Sequence, residues 1–241
     1  ARTLGATGVG VVSSAQNLIT YFTMIATLGI PSYGVRAIAQ AKINKEECNK
    51  VFSELFIINF ISTVFSLACY AMLILVLDKS LFSNSLHVIF ASLIAMNIFN
   101  IEWLYQGFEE YKYITIRSIS VKMVSLILMF LFVKTERDVN YYAIIICFGS
   151  VGNYLLNLSQ LKKYVSITLR GLNLKRHFKA IFTFFASVIA VEIYTLLDVT
   201  MLTYMCRSEN VGYYSNASKI VKIIANTITA IGAVLLPRLS L

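Results

Sequence analysis

From Lys179 to Cys206 the sequence KAIFTFFASVIAVEIYTLLDVTMLTYMC stays apolar for long enough to cross a bilayer, yet it carries Glu192 and Asp198 inside the run. About 20 apolar residues in a helix span the hydrocarbon core. A charge near the centre of such a helix costs roughly 2.5 to 3.5 kcal/mol on insertion scales, so it faces a protein interior or a watery cavity and marks a substrate or ion path. At about 100° per residue Thr195 falls between Glu192 and Asp198, with Ser187 near Asp198, which gives this helix one broad polar face.

The next apolar run, Val211 to Leu236, carries Ser215, Lys219, Lys222, Asn226 and Thr229 at spacings of four, three, four and three, one continuous stripe of a helix. If the two runs form an antiparallel hairpin around Arg207 to Asn210, Asp198 and Lys219 lie at matching depth, with Glu192 and Lys222 deeper. Two readings follow. The four charges are either structural ion pairs that hold the hairpin together, or groups that line a substrate path.

The whole chain has the composition of an integral membrane protein: 58% of its 241 residues are hydrophobic and only 14% charged, with a mean hydropathy of +0.73. Seven apolar stretches are predicted to span, at roughly 11–33, 55–77, 84–104, 113–133, 139–161, 180–205 and 211–235. Runs such as IINFISTVFSLACYAMLILVL do not alternate, so the fold class is all-α, a polytopic transmembrane helix bundle rather than a barrel. The net charge of +9 sits in alternate loops, thirteen basic residues on one side against five on the other. That asymmetry places the richer side, including the Lys162–Lys179 segment, in the cytoplasm and argues for membrane lipid rather than nucleic acid as the neighbour. Cys48, Cys69, Cys147 and Cys206 are scattered, with no C-x-x-C pair, so neither a metal nor a disulfide framework nor any cofactor is expected.

Along the chain, Gly29, Pro31 and Gly34 are expected to stop or kink the first span. The second span reads as a nearly featureless lipid-facing helix. Trp103, Tyr105, Tyr111 and Tyr113 read as an interfacial aromatic belt, and Glu102, Glu109 and Glu110 as solvated or paired charges of a short turn. The fourth span carries a third intramembrane cation, Lys122, in a stripe with Ser118, Ser125 and Met129. The basic segment KKYVSITLRGLNLKRHFK reads as an amphipathic interfacial linker touching anionic lipid. His87 and His177 each read as an isolated interfacial histidine.

Shifting the chain by 202 residues lays the first span on the seventh. Gly10 meets Gly212, Ser13 meets Ser215, Ala15 meets Ala217, Thr27 meets Thr229 and Arg36 meets Arg238. The polar stripe follows: Ser13, Asn17, Thr20 and Thr27 overlay Ser215, Lys219, Lys222 and Thr229. Both copies run from outside to inside, the pattern of two lobes related by an axis along the membrane normal, so function is expected between them. The repeat further predicts one span before Ala1 and four or more after Leu241.

LGIPSYGVRAIAQ, EWLYQGFEEYKYI, LLDVTMLTYM, VGYYSNASKIVKI and LPRLS, in this order, resemble the polysaccharide repeat-unit flippases, the O-antigen and capsule transporters of the multidrug/oligosaccharidyl-lipid/polysaccharide exporter superfamily. The resemblance covers essentially the whole chain. It implies a protein of twelve to fourteen helices with two six-helix lobes around a central cavity. Residues 1–161 would be the amino-terminal lobe without its first helix, 162–179 a basic cytosolic linker, and 180–241 the first two helices of the second lobe.

The resemblance also implies an inner-membrane secondary transporter that moves an undecaprenyl-pyrophosphate-linked oligosaccharide between leaflets, beside a polysaccharide polymerase and a chain-length regulator. Lys122, Lys219 and Lys222 would offset the charge of the pyrophosphate, and Asn17 and Asn226 are further candidates for the substrate path. Asp198 and Glu192 would hold the lysines or take up a coupling proton or sodium ion. A multidrug exporter of the same superfamily is the nearest rival, and its cavity is expected to hold fewer lysines and more carboxylates and aromatics. A membrane polymerase or glycosyltransferase would need a large outer loop with acid–base residues, and every outer loop here is short. No G-x-x-x-x-G-K-[ST] sequence is present to form a P-loop.

Overall fold

A computed structural model describes residues 3–76 and 84–239, with side chains as far as residue 225. Ten α-helices follow one another without a strand among the described residues. They are α1 (Gly5–Thr27), α2 (Ile30–Ala41), α3 (Lys45–Val76), α4 (Asn84–Met96), α5 (Glu102–Gly107), α6 (Tyr111–Phe132), α7 (Val139–Ser159), α8 (Leu161–Tyr164), α9 (Lys175–Met205) and α10 (Ser208–Leu239). Six helical stretches are long and apolar enough to cross a membrane: Gly5–Ala41, Lys45–Val76, Ser85–Gly107, Tyr111–Phe132, Val139–Tyr164 and Lys175–Met205. The seventh expected span is α10, which carries the Ser215, Lys219 and Lys222 stripe and is not one of those six among the described residues. Phe65, Met72, Leu75 and Phe130 point outward and exposed, as lipid-facing side chains do.

The first span breaks where Leu28 and Gly29 both turn left-handed, with φ of 47° and 72°, before Pro31 opens α2. Glycine is required at 29 for a second reason: a Cβ there would lie 2.7 Å from the Phe185 amide nitrogen of α9. The third span breaks as well. After α4 a 3-10 turn at Asn97–Phe99 re-aims the chain into α5, and Trp103 and Tyr105 enter the core. The expected aromatic belt is thus only half a belt: the Trp103 ring lies over Gly34, whose Cβ would sit 2.7 Å from it, while Tyr111 stays exposed. In the loop between α6 and α7, Asp138 accepts from the amides of Lys134 and Thr135 and from the Thr135 hydroxyl, and the two amides hold its carboxyl below the usual range.

The second span is not a featureless lipid-facing helix. Ser53, Glu54, Asn59, Ser62, Thr63, Ser66 and Tyr70 of α3 are all buried. Asn59 donates to the carbonyls of Asn97 and Ile98, Ser62 to Ala26 at 2.5 Å, and Ser66 to Phe22 at 2.6 Å. The stripe therefore binds α3 to α1 and to the break after α4. Tyr70 meets His87 at 2.9 Å, so this histidine is not isolated.

The basic segment after α7, expected as an amphipathic interfacial linker, is bound to protein through its backbone. Between α8 and the start of α9 the chain crosses α3 as a strap. Asn49 accepts from the Ser166 amide at 2.9 Å, Ser53 from Thr168 at 2.9 Å and Glu54 from Asn173 at 2.6 Å. Those three acceptors stand at four- and one-residue intervals on one face of α3, which dictates where the strap lies. Glu54 also takes His177 Nε2 at 2.6 Å and Arg176 Nη2 at 2.6 Å, and Tyr33 of α2 meets His177 Nδ1 at 2.8 Å. His177 is thus buried, and the start of α9 is locked onto α2 and α3.

Two predictions follow from this arrangement. Glu54→Ala leaves buried His177 and the Asn173 amide without their acceptor, while Arg176 keeps its ion pair with Glu47; breaking such a buried pair costs about 3 to 5 kcal/mol. Membrane abundance and thermal stability should fall sharply, and parent-like stability would refute the lock. In intact cells an impermeant maleimide should label exposed Cys206, while a cysteine placed at exposed Lys162 should label only after permeabilisation; the reverse pattern would invert the topology.

Candidate functional site

The helices α1 and α10 approach each other through backbone. A Cβ built on Gly10 would lie 1.7 Å from the Ser208 carbonyl oxygen and 3.0 Å from the Gly212 nitrogen. One built on Gly212 would lie 2.0 Å from the Ala6 carbonyl oxygen and 3.1 Å from the Gly10 nitrogen. Both helices thus present a small-x-x-x-small pattern, Ala6 with Gly10 and Ser208 with Gly212, which lets helices in lipid come into backbone contact.

Further along the two helices a groove of about 190 Å³ opens between α1, α9 and α10. Asn17, Lys219 and Lys222 line it, with Leu196 and Val199 as its apolar wall. Asn17 is held in place by α9: its amide donates to Thr200 Oγ1 at 2.7 Å and to the Leu196 carbonyl at 3.4 Å. Thr200 also meets Tyr21 at 2.9 Å, and Thr203 donates to Ser14 at 3.0 Å. These bonds zip α1 to α9. No carboxylate lines the groove among the described residues.

The ion pairs expected from the hairpin do not form. Asp198 is exposed and accepts from the Tyr214 hydroxyl at 2.5 Å, not from Lys219. Glu192 accepts from Thr195 Oγ1 at 3.3 Å, not from Lys222. Neither lysine has an ion-pair partner among the described residues. The cause is rotation. At about 100° per residue, Lys219 lies only about 20° around α10 from Gly212, whereas Tyr214 lies about 160° away. The glycine crossing therefore turns Lys219 toward α1 and sends Tyr214, with Asp198, to the far side.

Of the other expected site residues, Lys122 stands exposed on α6, which packs chiefly on α7 and α5 and so is not gathered into the groove. The Asn226 side chain lies outside the described residues. Arg117, counted among the cytosolic basic residues, is buried instead, paired with Glu102 and hydrogen-bonded to Asn153 and Asn157 of α7. The other acids of that turn are paired too, Glu109 with Lys42 at 2.7 Å and Glu110 with the Tyr164 hydroxyl at 2.8 Å. Ser215 was legible only as one point of a stripe. In the fold it is buried in the groove wall, and its hydroxyl has no hydrogen-bond partner.

Across its whole length, residues 1–241, the sequence matches the family described as polysaccharide biosynthesis protein. The chain belongs to this family. Two relatives named as candidate O-antigen transporters are similar: one from Shigella dysenteriae, 26% identical over 240 residues and 95% of this chain, and one from Escherichia coli (strain K12), 25% identical over 248 residues and 99% of this chain. The chain spans 58% of the length of each. No solved structure matches significantly. Membership in this family of bacterial relatives, together with six membrane-capable helices, makes the chain a multi-pass protein of the bacterial inner membrane.

Because Asp198 and Lys219 face different ways, Lys219→Gln and Asp198→Asn should act independently. Their effects on thermal unfolding should add to within about 0.5 kcal/mol, as for residues that share no contact. A coupling well above that would restore the ion pair.

Proposed function

We propose that the protein transports a lipid-linked oligosaccharide for surface polysaccharide assembly and that the groove between α1, α9 and α10 receives its phosphate groups. One observation carries this reading: Lys219 and Lys222 line a polar groove at membrane depth with no carboxylate among its described lining residues. Cations left unneutralised in lipid are costly. An anionic ligand removes that cost, and ammonium donors suit phosphate oxygens. The chemistry agrees with the names of the two relatives and of the family.

In this reading the cargo is an undecaprenyl-pyrophosphate-linked repeat unit, handed on to a polysaccharide polymerase and its chain-length regulator. Glu192 lies on the face of α9 shared with Leu196 and Val199, about one turn deeper than the groove, and is the group best placed to take a coupling proton or sodium ion. A drug exporter is disfavoured by the same observation, since a cationic organic molecule would meet two lysines and no counter-charge.

The test uses the whole protein in its native strain. Lys219→Gln and Lys222→Gln should each remove most surface polysaccharide, at least about tenfold, with protein abundance unchanged, and lipid-linked repeat units should accumulate facing the cytoplasm. Full polysaccharide in both variants would refute the reading.

A further inference from the structure

The groove has an internal symmetry that its chemistry breaks. The reciprocal contacts of Gly10 with Ser208 and of Gly212 with Ala6 join residues that are equivalent under the 202-residue repeat. Contacts of that form, in which one residue touches another and its equivalent returns the contact, are those of a two-fold axis. The axis runs between the two parallel helices. Below the crossing, the groove is lined by both copies of one stripe: Ser13 with Ser215, Gln16 with Ser218, Asn17 with Lys219 and Thr20 with Lys222. The two halves have the same positions and different charges.

On α10 the equivalents at the two inner positions are lysines, which only donate hydrogen bonds. On α1 they are an amide and a hydroxyl, which donate and accept. The groups are also available. Ser215, only 6% exposed, has an unpartnered hydroxyl in the groove wall. Thr20 donates to the Gln16 carbonyl at 2.8 Å, which leaves its oxygen to accept. The Gln16 side chain lines the groove and makes no hydrogen bond to the described residues. Asn17 spends its amide protons on α9 and keeps its carbonyl oxygen.

We propose that the groove is a divided site in which the α10 half, Ser215, Lys219 and Lys222, holds the diphosphate and the α1 half, Gln16, Asn17 and Thr20, holds the hydroxyls of the first sugar. The assignment rests on the transport reading above and deepens it. A diphosphate presents acceptors and negative charge, so it belongs where every group donates. A sugar presents neutral hydroxyls that both donate and accept, so it belongs where amides and hydroxyls stand without charge. The local two-fold makes the halves meet at one depth, so a phosphate and the sugar attached to it are held side by side. The charge difference then fixes which way round the ligand lies.

The experiment compares two probes on the purified whole protein in detergent by native mass spectrometry: undecaprenyl diphosphate and undecaprenyl diphosphate bearing one N-acetylglucosamine. Gln16→Ala combined with Thr20→Val should weaken the sugar-bearing probe about three- to tenfold, the range of one or two hydrogen bonds, and leave the bare probe unchanged. Lys219→Gln should weaken both probes by the same factor. Thr20→Val alone keeps the side-chain shape and guards against misfolding, which gel filtration and unfolding temperature monitor. If the Gln16 and Thr20 changes affect both probes equally or neither, the divided site is wrong while the transport reading stands. If Lys219→Gln and Lys222→Gln leave both probes bound as in the parent, the transport reading itself fails.

Discussion

The backbone contact between Gly10 and Gly212 governs most of what is distinctive in this protein. Lipid gives helices no hydrophobic reason to associate, so their association depends on close packing and on hydrogen bonds between them. Two glycines face to face allow an approach that any side chain would block, since a Cβ on either would fall within 2.0 Å of a carbonyl oxygen. Once the crossing is set, the rotation of α10 is set with it. Lys219 faces α1 and the groove, and Tyr214 carries Asp198 away to the other side.

A second set of constraints fixes α9. Its C-terminal half is zipped to α1 by Thr200 and Thr203, and its N-terminal end is held by Glu54 through Arg176 and His177. The strap before it is held by side chains of α3 that accept from its amides, which satisfies backbone that has neither helix nor sheet partners. Both ends of α9 are thus tied to helices that precede the strap. The groove wall made by Leu196 and Val199 is stationed between these two ties.

What results is a polar groove in which the two cations have been separated from Asp198 of the neighbouring helix. In a low-dielectric setting a lysine beside an aspartate would be satisfied and of little use to a ligand. Turning Asp198 to a tyrosine on the far face leaves the lysines in need of an anion from elsewhere.

The sequence by itself determined the solvent, the helical class and most of the span positions, because apolar run length responds to the bilayer alone. It also determined the repeat and the shared polar stripe, since a 3.6-residue period is visible without knowing what the stripe faces. The break at Leu28–Gly29 was legible from Gly29 and Pro31. The α3 stripe of Asn59, Ser62, Thr63, Ser66 and Tyr70 was legible in principle at helical spacing but was masked by the high mean hydropathy around it. Only the tertiary structure decided which charges meet. Depth along a helix follows from counting residues, and that count put Asp198 level with Lys219. Rotation about the helix follows from what the helix touches, and here a glycine contact some 200 residues apart in sequence turned the two away from each other. The strap is of the same kind: its basic composition suggested lipid, but its course was decided by three side chains on α3 that only the fold brings beneath it.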